Sequence, residues 1–397
     1  MKPYFLFSGF FYFLSMLWLF FIDPFSNLKD FHLVGWVHLY MLGFVMMAIF
    51  SAMAQLGPIV VEIKHYNLNI FKYLFLFLIS GLILMLIGFY IDTAFLLYGG
   101  VLVLIAMSIY AIEFLLTLKN AKRSTSITKA MKMSNFFLLL GILTGIVMAA
   151  AFNGYIEIDP HSILNIHTFG LILGFVILLI MGISIILLPM FGSSKRISDN
   201  EFSNSFITIS VGIMIMMISP FMFTQVTENI AYAVTAISIV LYFYQLYKMT
   251  SSRKRVDHDI WARSMYVAFI SFFISFILLI IYLLNQNELF LRVGMWVMFI
   301  GFFGFVIIGN FYKIIPFLVW FHIYSPLIEE RAVPMLHELL PKRLANLQFF
   351  YGVVGLIISS IALIIQDSKL FYSGALLLSV SGSIFLITIN KTLKIDI

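Results

Sequence analysis

Long apolar runs are the feature that most restricts what this chain can fold into. Hydrophobic residues make up 62% of its 397 residues and charged residues only 11%, a balance foreign to soluble domains. Many runs reach the ~20 residues that a helix needs to cross a bilayer. Because lipid offers the backbone no hydrogen-bond partners, each run should be a helix. The predicted spans are approximately 4–22, 33–58, 71–91, 94–118, 135–155, 164–190, 203–224, 228–248, 264–284, 292–317, 344–366 and 370–391.

The expected fold class is an all-α polytopic membrane protein with twelve transmembrane helices. Short loops connect the spans, so residues 1–397 should form a single membrane domain. Of the 24 lysines and arginines, only Lys29, Arg292 and Lys369 fall on one side of this topology. Basic loops stay in the cytoplasm, so both termini are predicted to be cytoplasmic.

The net charge of +6 therefore reports membrane orientation and does not indicate a nucleic-acid partner. The lipid bilayer is the expected partner, and the bacterial cytoplasmic (inner) membrane is the expected location. The chain has no cysteine, which excludes disulfides, thiolate metal sites, iron–sulfur clusters and covalent c-type haem attachment. Histidine and methionine remain as metal ligands.

One helix pattern occurs three times. The pattern Gly-x7-[Ser/Gly]-x6-Pro begins at Gly43, Gly174 and Gly301, positions that are 131 and 127 residues apart, and its proline is expected at the helix end. Each copy is the second of four spans, so the chain divides into three four-helix repeats, 1–132, 133–262 and 263–397. Internal repeats in membrane proteins commonly place the functional site between the repeats.

Histidines mark two of the three copies. His38 lies 20 residues before the proline of its copy, and His167 lies 22 residues before its own. At ~100° per residue these positions point about 160° apart around a helix, so two helices of one ring can present them to a common pocket. Two imidazoles on opposite sides of a planar cofactor are the axial ligands of a haem. The alternative is a neutral histidine bonded to a backbone carbonyl or to water.

The other histidines are interpreted from their place along the chain. His32 and His161 each precede a candidate ligand by six residues. They are predicted to be solvent-facing loop residues, with a haem propionate or a copper ion as the alternative partner. Solvated positions in or beside the cytoplasmic loops are predicted for His65, His258, His322 and His337.

Four further side chains have competing interpretations. Arg292 is expected to pair either with a haem propionate or with a lipid headgroup. Trp36 and Trp296 fit a haem-pocket wall or an interfacial belt. Glu113, in the fourth span, is expected to meet Lys313 or interfacial water, with a proton pathway as a weaker alternative.

The three Gly…Gly/Ser…Pro helices, with histidine positions ahead of the glycine, resemble subunit I of the heme-copper oxidase superfamily. Its short relatives include the NnrS-like membrane haem proteins. The resemblance implies twelve spans in three four-helix arcs with pseudo-threefold symmetry. It also implies a low-spin haem between two repeat helices. Here those helices are the second and sixth spans, so the implied cofactor is one bis-histidine haem b held by His38 and His167.

The sequence departs from the oxidase pattern where oxygen is reduced. The tenth span of the oxidases carries His-x-His, whereas this chain has Gly294, Met295 and Trp296 there. The seventh span lacks the His-His pair for copper, and the sixth lacks a mid-membrane histidine. A complete terminal oxidase is therefore not expected, and any catalytic role would be oxidoreductase-like.

The resemblance instead implies electron transfer, chemistry of NO or another gas at haem, or support of a respiratory chain. A respiratory redox protein or a quinol is the implied partner. Two alternatives stay open: a membrane transporter or assembly factor that handles haem or copper, and a structural subunit with a degenerate pocket.

Overall fold

Helices form the structure wherever it is described. A computed structural model describes residues 2–61, 65–121, 124–222, 224–253, 259–330 and 332–394, and these residues contain no β-strand. Within them, twelve helices are long and apolar enough to cross a membrane, which confirms the predicted all-helical, multi-pass membrane protein. They are α1 (Lys2–Phe21), α2 (Phe31–Gln55), α3 (Leu68–Tyr90), α4 (Ala94–Lys119), α5 (Ser126–Phe152), α6 (Pro160–Gly192), α7 (Asp199–Phe221), α8 (Gln225–Ser251), α9 (Ile260–Asn285), α10 (Glu288–Leu327), α11 (Lys342–Ile365) and α12 (Ser368–Leu393).

Short polar side chains begin several helices where an apolar run starts. The carboxylate of Asp30 accepts the backbone N–H groups of His32, at 2.9 Å, and Leu33, at 3.4 Å, at the start of α2. Thr125 and Ser198 form capping boxes at the starts of α5 and α7. Such caps satisfy N–H groups that a first helical turn leaves without partners, and each stabilises its helix by about 1 kcal/mol. The polar boundaries therefore help to fix where the spans begin.

The chain forms two compact units, one of Met1–Ala52 with Asp257–Ile397 and the other of Met53–Val256. In the first unit, α1 packs against α2 and α12, and α9 packs against α10. In the second unit, α3 pairs with α4 and α7 pairs with α8, while α5 packs against α4, α6 and α7. The single domain of three repeat units stays a prediction.

Each repeat helix is wound as a π-helix over part of its length. The π segments that share the pattern are Leu39–Met46 in α2, Phe169–Ile177 in α6 and Val297–Gly304 in α10, and α10 has a second, shorter one at Trp320–Tyr324. Each of the three that share the pattern contains the first glycine of its copy. π-Helices are rare and mostly occur as single turns, frequently at functional sites. Segments of eight or nine residues are therefore unusual and set these three helices apart from the other spans. The repeated sequence pattern thus has a repeated local structure.

The prolines of the pattern do not end the helices, so that part of the prediction is wrong. Pro189 lies inside the helix Leu178–Gly192, and Pro316 lies inside the helix Phe305–Val319. A proline removes one backbone hydrogen bond, but neighbouring helices and local adjustment make this tolerable in membrane helices.

The first glycine of each copy lets the preceding helix approach closely. A methyl group built on Gly43 would lie 2.7 Å from Cγ of Phe11 in α1. One built on Gly174 would lie 2.7 Å from Cβ of Phe137 in α5, and one on Gly301 would overlap Ser271 in α9. Since lipid is as apolar as the side chains, membrane helices associate through such close packing. These glycines are therefore packing positions.

Gly174→Ala should destabilise the protein, because its methyl group would collide with Phe137. Overpacking of this kind typically costs about 1–3 kcal/mol. Gly182→Ala on the same helix is the matched control, since its methyl group would lie 3.6 Å from Cβ of Ala130, an ordinary contact. Thermal unfolding of both variants in one detergent should show a lower Tm for Gly174→Ala alone. Equal losses would contradict the close-packing role of Gly174.

Candidate functional site

His38 is oriented by its own helix. Its Nδ1 lies 2.8 Å from the backbone carbonyl oxygen of Val34, one helical turn earlier. A carbonyl can only accept, so Nδ1–H is the donor. The ring is partly buried in the first unit, and the residue directly precedes the π segment Leu39–Met46. The side chain is thus held at the point where the winding of α2 changes.

His167 is oriented by a neighbouring helix. Its Nδ1–H donates to the backbone carbonyl of Gly141 in α5 over 2.8 Å. One turn further along α5, a methyl group built on Gly145 would lie 2.7 Å from Cε1 of His167 and 3.0 Å from Nδ1. The imidazole therefore occupies a slot that exists because Gly145 has no side chain. His167 lies two residues before the π segment Phe169–Ile177.

The two candidate ligands share one chemical arrangement. In each ring Nδ1 carries the proton, so the neutral imidazole has its lone pair on Nε2. Histidines that bind metals almost always donate their other ring N–H to a carboxylate, a backbone carbonyl or water, which fixes the tautomer and the ring orientation. His38 and His167 therefore have the chemistry of axial ligands. A histidine that only packs makes the same bond.

His32 and His161 lie outside this arrangement. Both residues are exposed, as predicted, and their backbone N–H groups donate to the capping carboxylates of Asp30 and Asp159. The ring of His161 packs edge-on against Phe152, with 5.9 Å between centroids. In the part of the chain that the structure describes, no three His, Asp or Glu side chains converge as metal ligands.

Trp36 and Trp296 stack on each other inside the first unit, with ring centroids 5.8 Å apart. The indole N–H of Trp36 donates to the carbonyl of Ser15 at 2.9 Å, and that of Trp296 donates to Oγ of Ser359 at 3.0 Å. Both indoles are buried with their polar atoms satisfied, which accounts for them as packing residues. Contact of either indole with a cofactor stays a prediction.

Arg292 fixes a loop. Its guanidinium donates to the carbonyl oxygens of Pro24, at 2.6 Å, and Ser26, at 2.7 Å, so it ties the segment between α1 and α2 to the start of α10. Charged donors make stronger hydrogen bonds than neutral ones. The sequence suggested a propionate or a headgroup as its partner, and these backbone contacts were not anticipated.

The sequence also failed to identify the environment of His65. Predicted as a solvated residue, His65 instead has a buried side chain that contacts Glu113 at 3.0 Å. Lys313, considered above as a partner for Glu113, pairs with Asp259 at 2.6 Å. His322 and His337 are exposed, as predicted, whereas His258 lies outside the described residues. An ionisable residue inside an apolar run, such as Glu113, was the one available signal.

Comparison with known proteins adds no assignment: no family model matches the chain, and no curated protein matches it.

Arg292→Gln should free the loop between α1 and α2, because the two charged hydrogen bonds to backbone carbonyls are lost. Hydrogen bonds to charged groups contribute about 1.5–3 kcal/mol, which corresponds to amide exchange at least about tenfold faster in residues 23–30. Hydrogen–deuterium exchange with mass spectrometry measures this. Lys29→Ala, an exposed substitution in the same segment, is the control. Unchanged exchange in Arg292→Gln would show that the loop is held by other contacts.

Proposed function

We propose that this chain is a membrane b-type haem protein in which His38 and His167 supply the two axial ligands. The observation that carries the proposal is that the two rings make the same kind of hydrogen bond: each donates Nδ1–H to a backbone carbonyl over 2.8 Å. That bond leaves the ligand lone pair on Nε2 in both residues. Both residues also lie one or two positions before a π segment, in helices of the same pattern.

The twelve helices are proposed to form three four-helix repeats with pseudo-threefold symmetry. Supporting this, α2, α6 and α10 each contain a π segment at the same place in the pattern. In each case the first glycine also packs against the helix before it, at Phe11, Phe137 and Ser271 respectively. The distribution of basic residues favours cytoplasmic termini and the bacterial inner membrane.

Electron transfer is the activity that this ligand set supports best. A haem held by His38 and His167 would supply a reversible one-electron couple, and with both histidines bound it would leave no free coordination position for a gas. The residues of the chain hold both rings in the ligating tautomer. Reduction of oxygen is disfavoured because the corresponding positions of α10 are used for packing: the carbonyl of Gly294 accepts from Ser275 at 2.8 Å, and Trp296 donates to Ser359.

The visible spectrum of the purified full-length protein, expressed in haem-replete cells, tests the proposal. Reduction should give the sharp α-band of low-spin b haem, and His38→Ala and His167→Ala should each abolish it. His32→Ala and His161→Ala, at exposed positions six residues earlier, should retain it. A haem-free protein that binds copper through His38 and His167 would favour the transporter or assembly-factor alternative. Binding of neither would indicate a degenerate pocket.

Gly145→Ala should weaken haem binding without removing a ligand. Its methyl group would press on Cε1 and Nδ1 of His167 and disturb the bond to Gly141. Loss of such supporting contacts typically lowers metal affinity about tenfold or more. Gly100→Ala is the matched control, because its methyl group would meet only Cγ1 of Ile146, at 3.5 Å. Haem retained per protein after gel filtration should fall for Gly145→Ala alone, and equal retention would show that the slot at Gly145 does not orient a haem ligand.

A further inference from the structure

A buried carboxylate lies near the end of α4 that carries Lys119. Glu113 is only 1% exposed and sits six residues before that lysine, inside an otherwise apolar helix. Ionisable groups are costly in such a place and need partners there. Its Oε1 accepts from Oγ1 of Thr117 at 2.9 Å and from the backbone N–H of Asn67 at 3.3 Å.

The third partner of the same oxygen is a histidine whose two ring nitrogens both contact oxygen atoms. Nδ1 of His65 lies 3.0 Å from Oε1 of Glu113, and Nε2 lies 3.0 Å from the backbone carbonyl oxygen of Ala54. The His65 side chain is 2% exposed, and its ring packs edge-on against Phe71. The side chain is therefore enclosed by Phe71 as well as by the oxygen atoms at both nitrogens.

Counting protons assigns the charge of this pair. The carbonyl of Ala54 can only accept, so Nε2 carries a proton. Oε1 already accepts two hydrogen bonds, from Thr117 and Asn67, so its contact with Nδ1 needs one proton between the two atoms, either on nitrogen or on oxygen. Two donors to Oε1 favour its ionised form, which puts the proton on Nδ1 and makes the pair an imidazolium facing a carboxylate. A neutral ring would place the lone pair of Nδ1 against Oε1.

The second carboxylate oxygen gives an independent observation. Oε2 of Glu113 is buried and has no hydrogen-bond partner in the described part of the chain. A buried acceptor left without a donor costs about 1–3 kcal/mol, so natural proteins rarely keep one without a role. This oxygen is therefore the acceptor of the pair that is left for an incoming proton.

Among the described residues, the charge that faces Glu113 is that of His65. The described elements that pack most extensively against α4 are α3, with the short turn that begins it, and α5. The titratable side chains at the ends of α3 and α5 nearest Glu113 are exposed: Lys72 and Tyr73 on α3, and Lys129 and Lys132 on α5. Tyr66 and Lys119 are exposed as well. Tyr110, one turn before Glu113 on α4, is buried.

We propose that His65 and Glu113 form a buried binding site for one exchangeable proton. In the empty state the ring is neutral, the carboxylate is ionised and the pair has a charge of −1. The proton comes from a hydronium ion, whose O–H bond breaks as water leaves, and it passes through Oε2 to Nδ1, so an N–H bond forms and the pair becomes neutral overall. Low pH favours the loaded state. Loss of the proton puts two lone pairs in contact, which loosens residues 65–67 from α4. This proposal is independent of haem binding.

The test uses full-length protein in lipid nanodiscs with ¹⁵N-labelled histidine rings, observed by solid-state NMR at a series of pH values. His65→Gln identifies the His65 signals by their loss. The wild-type ring should be an imidazolium, with both nitrogens protonated, at neutral pH and should become neutral in one step as the pH rises. Glu113→Gln should leave the ring neutral at the pH where the wild-type ring is charged. Glu201→Gln, which breaks the exposed ion pair with Lys248 in the same unit, should leave the signals unchanged.

A ring that is neutral at every pH where the wild-type protein is folded would overturn the proposal, as would an imidazolium signal that survives in Glu113→Gln. Thr117→Val provides a second variant in case Glu113→Gln does not fold. It removes one donor from Oε1, so the carboxylate attracts the proton more strongly, and it also removes the acceptor of the backbone N–H of Tyr66, which lies 3.0 Å from Oγ1 of Thr117. The step from charged to neutral ring should move to higher pH in Thr117→Val, and a move to lower pH or no move would also refute the site.

Discussion

A backbone surrounded by lipid has to satisfy its own N–H and C=O groups, and the rest of the structure depends on that constraint. It makes each apolar run a helix and leaves side chains little to bond with except helical carbonyls. The hydroxyls of Ser134 and Thr388 accordingly donate to the carbonyls of Met131 and Ile384 on their own helices. Association of the helices then relies on close approach, as where Gly81 of α3 meets Gly99 of α4.

The two candidate haem ligands obey the same constraint in different ways. His38 bonds a carbonyl of its own helix, so its ring orientation follows from the winding of α2. His167 bonds the carbonyl of Gly141, which also accepts Oγ1 of Thr144 at 2.7 Å. A carbonyl oxygen has two lone pairs and can serve more than one donor. The orientation of His167 therefore depends on the packing of α5 against α6, and the glycine slot at Gly145 belongs to the site as much as the histidine does.

How far the sequence could predict the structure depends on how many positions along the chain separate the two partners of each interaction. The spans were predictable because apolar length is a local property, and the bond of His38 follows from the helical turn that separates it from Val34. The bond of His167 joins residues 26 positions apart, and its partner depends on a helix register that the sequence does not give. The contacts of Arg292 reach 268 positions along the chain, and nothing near Pro24 signals them.

Of the two partners considered for Glu113, Lys313 or interfacial water, Lys313 instead pairs with Asp259, which also caps α9. His65 was interpreted as solvated because it stands outside every apolar run, and its contact with Glu113 spans 48 positions. Hydropathy assigns a residue to a loop, and the loop can still fold back into the protein.

The type of base that pairs with a carboxylate differs between the exposed pairs and the buried one. Among the described residues, the lysine pairs with Glu201 and Asp259 are partly exposed, with 29–40% of each side chain accessible, whereas the His65–Glu113 pair is 2% and 0% exposed. Exposed pairs contribute little to stability, and a buried pair has to offset the loss of hydration of both charges. A lysine carries a much more basic nitrogen than an imidazole does, so the histidine gives the buried carboxylate a partner whose charge is more easily given up.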